Sequence, residues 1–428
     1  MSLSMDYFKK YYEFAAEKSV GDLKQIRAKF YDRFLAHGLP NRKSESWRYA
    51  KINSWFENSY ACPSVERGLS DFHDESFMNE VDILVCDGVV NIVNTDIDVV
   101  VMDLKQALQT YPEKVMSHLT KSYNYNNTGN PFADLAAAAW SSGVFIDVPP
   151  GYTLVKPLKI VHVFTSEVFL NSYNIFNLGV GAKATIVEYF TGNEDISYAH
   201  NFTTSINLEA GAVLTNEKLQ NSSPFAVVQD YRIITQKNSS EYVQRQYGFG
   251  AKVARDETLV NFIGDGAKNS FSGLSFAASC SWHSSHVKIL HNSSNCHSDQ
   301  KFHSLVSDRG ESSFLGHIFV PKTIAATLAY QDSKSLLLGP LSRSNVKPYL
   351  EIFADDVVCT HSASVGQLDK GALFYLRARG MTESEAYSIL LSSFASELIK
   401  DCQSDFLRLK AAEKVKKLSS LIFIEDGV

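Results

Sequence analysis

Cys359 and His361 place a thiol and an imidazole two residues apart, within Pro348-Tyr-Leu-Glu-Ile-Phe-Ala-Asp-Asp-Val-Val-Cys-Thr-His-Ser-Ala-Ser-Val-Gly366. Their surroundings are β-branched and aromatic, and in an extended strand residues i and i+2 share a face. Two residues of rise separate such side chains by roughly 7 Å. That is too far for a direct hydrogen bond but near enough to line one small site. A neutral imidazole ligates iron or relays a proton near neutral pH. A thiolate binds iron or carries sulfur once its pKa is lowered.

A second group, His283, His286, His291, Cys296, His297 and His303, has the residue types of a zinc or iron site. Its spacing points elsewhere. There is no His-x-x-x-His pair, and the residues fall across two strands and a turn. His291 and Cys296 approach each other only if Asn292-Ser-Ser-Asn295 turns tightly, so surface or stacked core histidines are the expectation. Asp355 and Asp356 are the only other acid pair that raises an enzymatic reading, glycoside hydrolysis on a β-helix. That reaction needs two carboxyls facing each other across a bond, whereas adjacent strand residues point to opposite faces. No Gly-x-x-x-x-Gly-Lys-Ser/Thr loop and no Gly-x-Gly-x-x-Gly fingerprint is present, so intrinsic nucleotide hydrolysis is not expected.

The elements that must position these residues change character along the 428 residues. The first ~60 residues read as helical. Ser19 is the expected cap of a helix to His37 with Leu23, Ile26, Phe30 and Phe34 on one side, ended by Gly38 and Pro40. A strand is expected at Val81–Cys86, a helix from Asp103 to about Leu119, and a short helix over Phe132–Trp140. From Gly143 onward, short β-rich runs alternate with turn clusters. Gly-Ala pairs open such runs at Gly181, Gly211 and Gly266, at unequal intervals. An irregular β-solenoid or a large sandwich fits this texture. After Leu368 helices return: Thr382 and Glu385 form a capping box, and Ala386, Leu390, Phe394 and Leu398 recur every fourth residue. The division predicted is 1–140 helical and mixed, 141–367 β, and 368–428 helical.

Composition narrows the class. Hydrophobic residues make up 45% and charged residues 21%, as in an ordinary globular chain. A net charge of −6 leaves no basic footprint for nucleic acid. Lys410, Lys414, Lys416 and Lys417 read as a solvated helix face. No apolar run is long enough to span a bilayer, and the first residues lack the apolar stretch of a secretory signal. Six scattered cysteines include no Cys-x-x-Cys pair, which predicts reduced thiols in a cytoplasmic protein.

The Pro348–Gly366 segment resembles the SufB/SufD family of iron–sulfur cluster assembly scaffolds, whose members carry Pro-x-Leu-Glu-Ile-x-Ala-Asp-Asp-Val-x-Cys-Ser-His-Gly-Ala-Thr-x-Gly here. Thr360, Ser362 and Ser364 depart from that pattern, and Ser362, in place of a usual glycine, is expected to alter a turn. The resemblance extends from about Trp47 to the Phe394 helix. It implies a right-handed parallel β-helix flanked by helical regions, and a non-catalytic assembly subunit. Ser46-Trp-Arg-Tyr49 and the chain length resemble the SufD-type branch; a SufB-like subunit carrying the nascent cluster is the alternative. A β-helix polysaccharide-active enzyme is a remote one. The implied partners are a SufB-like subunit and a SufC-like ABC-type ATPase, with a homodimer in isolation. No resident cofactor is implied, only a transient iron–sulfur cluster at the subunit interface, with His361 and Cys359 as the residues that would meet it. Leu373, Phe374, Tyr375, Arg377, Arg379 and Gly380 match the family's ATPase-docking region.

Overall fold

At one corner of each turn of the β body a residue adopts a left-handed backbone: Gly181, Gly211, Ser239, Gly266, Asn295 and Ala326, with φ between 54° and 72°. The N–H groups of the first five reach across to the following turn, donating to the carbonyls of Ala210, Asn238, Asp265, Ser294 and Ala325. Glycine adopts this conformation freely, while Ser, Asn and Ala pay steric strain for it. The residue after each is small and fully buried: Ala182, Ala212, Ser240, Ala267, Cys296 and Thr327. A recurring corner of this kind reverses the chain at nearly constant intervals, so like strands stack in register.

The computed structural model describes residues 6–17, 19–41, 43–63, 81–94, 98–125 and 129–425. Its strands alternate between a ten-stranded and a nine-stranded sheet, and in-sheet neighbours along the body run parallel. Lys183 lies beside Val213, Val213 beside Glu241 and Glu241 beside Lys268, so successive turns take 30, 28 and 27 residues. The fold is a parallel β-solenoid, mainly β, with helices before and after it.

The space between the sheets is partly a hydrocarbon core, with Ile186, Ile206, Leu214, Ile234, Val260 and Ile289 among its buried members. It also holds charge. Lys218 from one sheet meets Asp230 (2.5 Å) and Asp256 (2.6 Å) from the other, and Arg232 meets Glu188 (3.2 Å) and Asp230 (3.1 Å). Burial opposes ionisation of Asp230, but Arg232 and Lys218 hold its carboxyl well below the usual range.

Among the described residues five α-helices precede the body: α1 (Asp6–Ala16), α2 (Gly21–His37), α3 (Leu104–Thr110), α4 (Pro112–Tyr125) and α5 (Pro131–Ala139). Phe8, Phe34, Trp47 and Phe132 from this region cover the outer face of the nine-stranded sheet at Phe169, Ala199, Val227, Val253 and Trp282. Three helices follow: α6 (Lys370–Ala378), α7 (Glu383–Ile399) and α8 (Asp405–Glu425). They lay Leu391, Ala395, Leu398, Leu407, Ala411 and Val415 over Tyr189, Leu219, Tyr247 and Leu274 of the ten-stranded sheet.

Several local expectations are corrected. Val20, not Ser19, precedes α2, without a side-chain cap; the Ser19 hydroxyl donates to the Ala15 carbonyl and so finishes α1. The helix expected from Asp103 is two, because Pro112 starts a new helix, the one place in a helix where its missing N–H costs nothing. In α7 the capping box is present and Ala386 and Leu398 are buried as expected, but between them the buried stripe runs through Leu391 and Ala395, with Leu390 and Phe394 half-buried beside it.

Candidate functional site: the open end of the solenoid

The two ends of the solenoid differ. At the start, the antiparallel strands Val89–Ile92 and Val100–Asp103 finish the sheets. At the other end the sheets finish on Arg343–Ile352 and Val357–Gln367, each with one neighbour only among the described residues. Unpaired N–H and C=O groups along such edges are a template for another chain. The neighbouring strand Thr327–Leu337 buries every other residue along most of its length, whereas Val357–Gln367 is mostly exposed. Phe353, Val358 and Val365 add exposed apolar surface there.

The Cys–His segment forms this end. Pro348–Ile352 and Val357–Val365 belong to opposite sheets, joined by a corner at 353–356. In the last strand Cys359 lies beside Ala329 and His361 beside Gln331. Ala329 and Gln331 are buried toward the lumen, so Cys359 and His361 share the lumen-facing side of the final turn. Their surroundings separate them. Cys359 is half-buried against Ile318, Val320 and Ala329, and burial pushes its thiol pKa up, which disfavours the thiolate. His361 is exposed at the mouth. Ser362 stands in mid-strand rather than in a turn, and its hydroxyl donates to Asp332 on the previous turn. Asp356 is occupied structurally: its carboxylate accepts from the Ala326 N–H at 3.0 Å and secures the corner. Asp355 is exposed.

Strand alternation disperses the His283–His303 group. His283 faces the lumen, whereas His286 faces outward beside Glu257 at 3.4 Å. His291 meets the Ser298 hydroxyl at 3.0 Å, His297 lies against Tyr330, and His303 stacks on Phe394 of α7. Cys296 occupies the small-residue corner position, with burial raising its pKa to about 11. Among the described residues no three His, Cys, Asp or Glu side chains are arranged to hold a metal ion.

Leu373, Phe374, Tyr375, Arg377, Arg379 and Gly380 lie on or just after α6, which buries none of its residues. Phe374 is 74% and Tyr375 56% exposed. Arg379 donates to the Tyr375 hydroxyl at 2.9 Å, and Arg377 pairs with Glu383 of α7 at 3.3 Å. This makes an apolar and cationic surface on the helix pair α6 and α7.

The family described as SUF system FeS cluster assembly, SufBD core domain, matches residues 162–394, and that of the SufBD protein N-terminal region matches residues 2–160. The chain belongs to the SufBD family. Among its relatives, the iron–sulfur cluster assembly protein SufD of Escherichia coli K12 is 26% identical over 398 residues, covering 90% of each chain. Protein ABCI7, chloroplastic, of Arabidopsis thaliana is 25% identical over 424 residues, covering 94% of this chain and 88% of that one. A SufBD family protein of Synechocystis is 25% identical over 279 residues, covering 63% and 62%. Membership makes this a SufBD-type iron–sulfur cluster assembly protein, and no helix among its described residues is long and apolar enough to cross a membrane.

Two features of this SufBD chain have no signal in its sequence. Glu217, on the outer face of the ten-stranded sheet, accepts from the N–H groups of Gln403 (2.7 Å) and Ser404 (2.8 Å) just ahead of α8. Gln331 and Gln300 stand in the lumen below His361. Both depend on which turns stack, and unequal turn lengths conceal that in the linear chain.

Proposed function

We propose that the chain is a SufD-type scaffold subunit that pairs through the open end of its solenoid with a SufB-like subunit. The observation that carries this reading is the pair of unpaired edge strands with His361 exposed between them. A partner strand added to either edge satisfies its backbone groups and brings a second set of side chains over the mouth. The nascent iron–sulfur cluster is the cargo of this interface. His361 contributes one nitrogen ligand or a proton relay, and the partner contributes the remaining ligands. Cys359, packed on apolar residues with its proton retained, is the poorer ligand, which favours the SufD-type role over the SufB-like one. The exposed face of α6 and α7 takes the SufC-like ATPase, which hydrolyses the nucleotide. In isolation the same edges admit a second copy of the chain.

The test is co-purification of wild type and His361→Ala with SufB-like and ATPase partners, followed by anaerobic cluster reconstitution. Both chains are expected to assemble, since His361 is exposed and supports no packing, and only the wild type to accumulate a cluster. Equal loading would remove His361 from the chemistry, and wild type that binds neither partner would remove the scaffold role.

A further inference from the structure

Register places Gln331 beside His361 and Gln300 beside Gln331 one turn further in. Neighbouring strands lie about 4.8 Å apart, so the two glutamines sit in file beneath the imidazole. Gln331 is 3% exposed and Gln300 0%. Neither the amide nitrogen nor the amide oxygen of either has a hydrogen-bond partner in the protein. Two adjacent buried amides with all four polar atoms unpaired are rare in folded proteins, because each has lost its water without replacement.

The wall that faces the two amides is close and largely apolar. Gly316 lies opposite, and a Cβ there would come within 2.9 Å of the Gln331 amide nitrogen and of the Phe314 ring. Phe302 and Phe314, 4.8 Å apart, form an apolar wall beside it. Pro348, in register with Gly316 on the last strand, offers no side-chain hydrogen bond. What fits is small, neutral, and both donor and acceptor.

We propose that Gln331 and Gln300 form a hydrated well beneath His361, and that Gln331, through water held there, is a positioning residue that fixes which ring nitrogen of His361 carries the proton. A ring nitrogen bonded inward sets the tautomer and leaves the outward nitrogen with its lone pair free for a ligand. This rests on the reading that His361 works at the interface, but its test does not use cluster loading.

The full chain, labelled with 15N-histidine, gives the His361 ring resonances by their loss in His361→Ala. In wild type the tautomer ratio is expected to depart roughly fivefold from that of free histidine, the worth of one ordinary hydrogen bond. Gln331→Leu, or Gln331→Met should the leucine variant fail to fold, brings the ratio toward the free-histidine value, and Gln331→Asn restores the departure. A high-resolution crystal structure is expected to show ordered water bonded to both amides. A free-histidine ratio in wild type, an unchanged ratio in the apolar variants, or amides bonded only to each other would overturn the well. Cluster loading by His361→Ala would instead overturn the reading on which it rests.

Discussion

A cysteine's surroundings, more than its neighbours in sequence, decide what it can do, and the six thiols here differ in both burial and charge. Cys280 is exposed, Cys359 and Cys62 are intermediate, and Cys86, Cys296 and Cys402 are buried. Burial, with Glu217 adding to it, raises the Cys402 pKa to about 12, and burial raises that of Cys296 to about 11, from an ordinary 9.0. Thiolate at neutral pH is thereby reduced about a hundredfold or more at both. Native alkylation followed by peptide mass mapping is expected to label Cys280 first and Cys359 well after it. Cys296 and Cys402 should stay unmodified until the chain unfolds. Labelling of Cys359 ahead of Cys280 would show a thiolate at the mouth and reopen its role as a ligand. At this scale the sequence was legible in part. That Cys359 and His361 share a face follows from strand alternation alone, and the structure agrees. That one is packed and the other exposed depends on Ile318 and Val320, some forty residues earlier in the chain, and no local spacing carries that.

The elements show the same division between local and distant causes. The capping box at Thr382 and Glu385 is written within four residues and is present in the structure. The Gly-Ala pairs at Gly181, Gly211 and Gly266 mark genuine corners. The corners between and after them use Ser239, Asn295 and Ala326, so the repeat looks broken in sequence although its geometry is regular. What docks α7 and α8 onto the solenoid is equally nonlocal. Glu217 is fully buried, pairs with Arg245 at 3.1 Å, and accepts two N–H groups where α8 begins, an end of the helix that favours negative charge. Replacing it by Gln keeps the shape and removes the charge. Bonds to charged groups are worth about 1.5–3 kcal/mol each, so Glu217→Gln is expected to loosen this attachment by about 2 kcal/mol. Hydrogen exchange should then speed up in α7 and α8 while the solenoid strands keep their protection. Unchanged exchange in both helices would mean that the apolar contacts beneath them suffice. For the proposed ATPase surface the point matters, since a docking face transmits force only if its base is held.

Over the whole molecule, the lumen and the helix-covered sheet face bury more polarity than the composition betrays, and this makes stability depend on pH. His118, His162 and His291 each have their pKa lowered to about 3, chiefly by burial. Their protein contacts are those of neutral rings: His118 meets the Ser205 hydroxyl at 2.8 Å, and His162 stacks on Phe190 at 4.3 Å. An unfolded histidine titrates near 6.5. Between that value and about 3 the unfolded chain binds more protons, so stability is fully present above pH 6.5 and is lost as pH falls. Each such histidine contributes a slope of up to about 1.4 kcal/mol per pH unit. Carboxylates act later. Burial opposes ionisation of Glu257, but Arg255 and His286 lower its pKa to about 2, so its stabilisation is lost only below the ordinary carboxylate value near 4.5. Denaturant midpoints should therefore already fall between about pH 6.5 and about pH 5, before any carboxylate is involved. His162→Phe retains a ring against Phe190 and removes one titrating group, so it should reduce that slope by one histidine's share, with His118, His200 and His291 left to titrate. A midpoint constant over this interval, or a slope unchanged in His162→Phe, would mean that these rings are protonated within the fold, with water reaching the lumen from its open end.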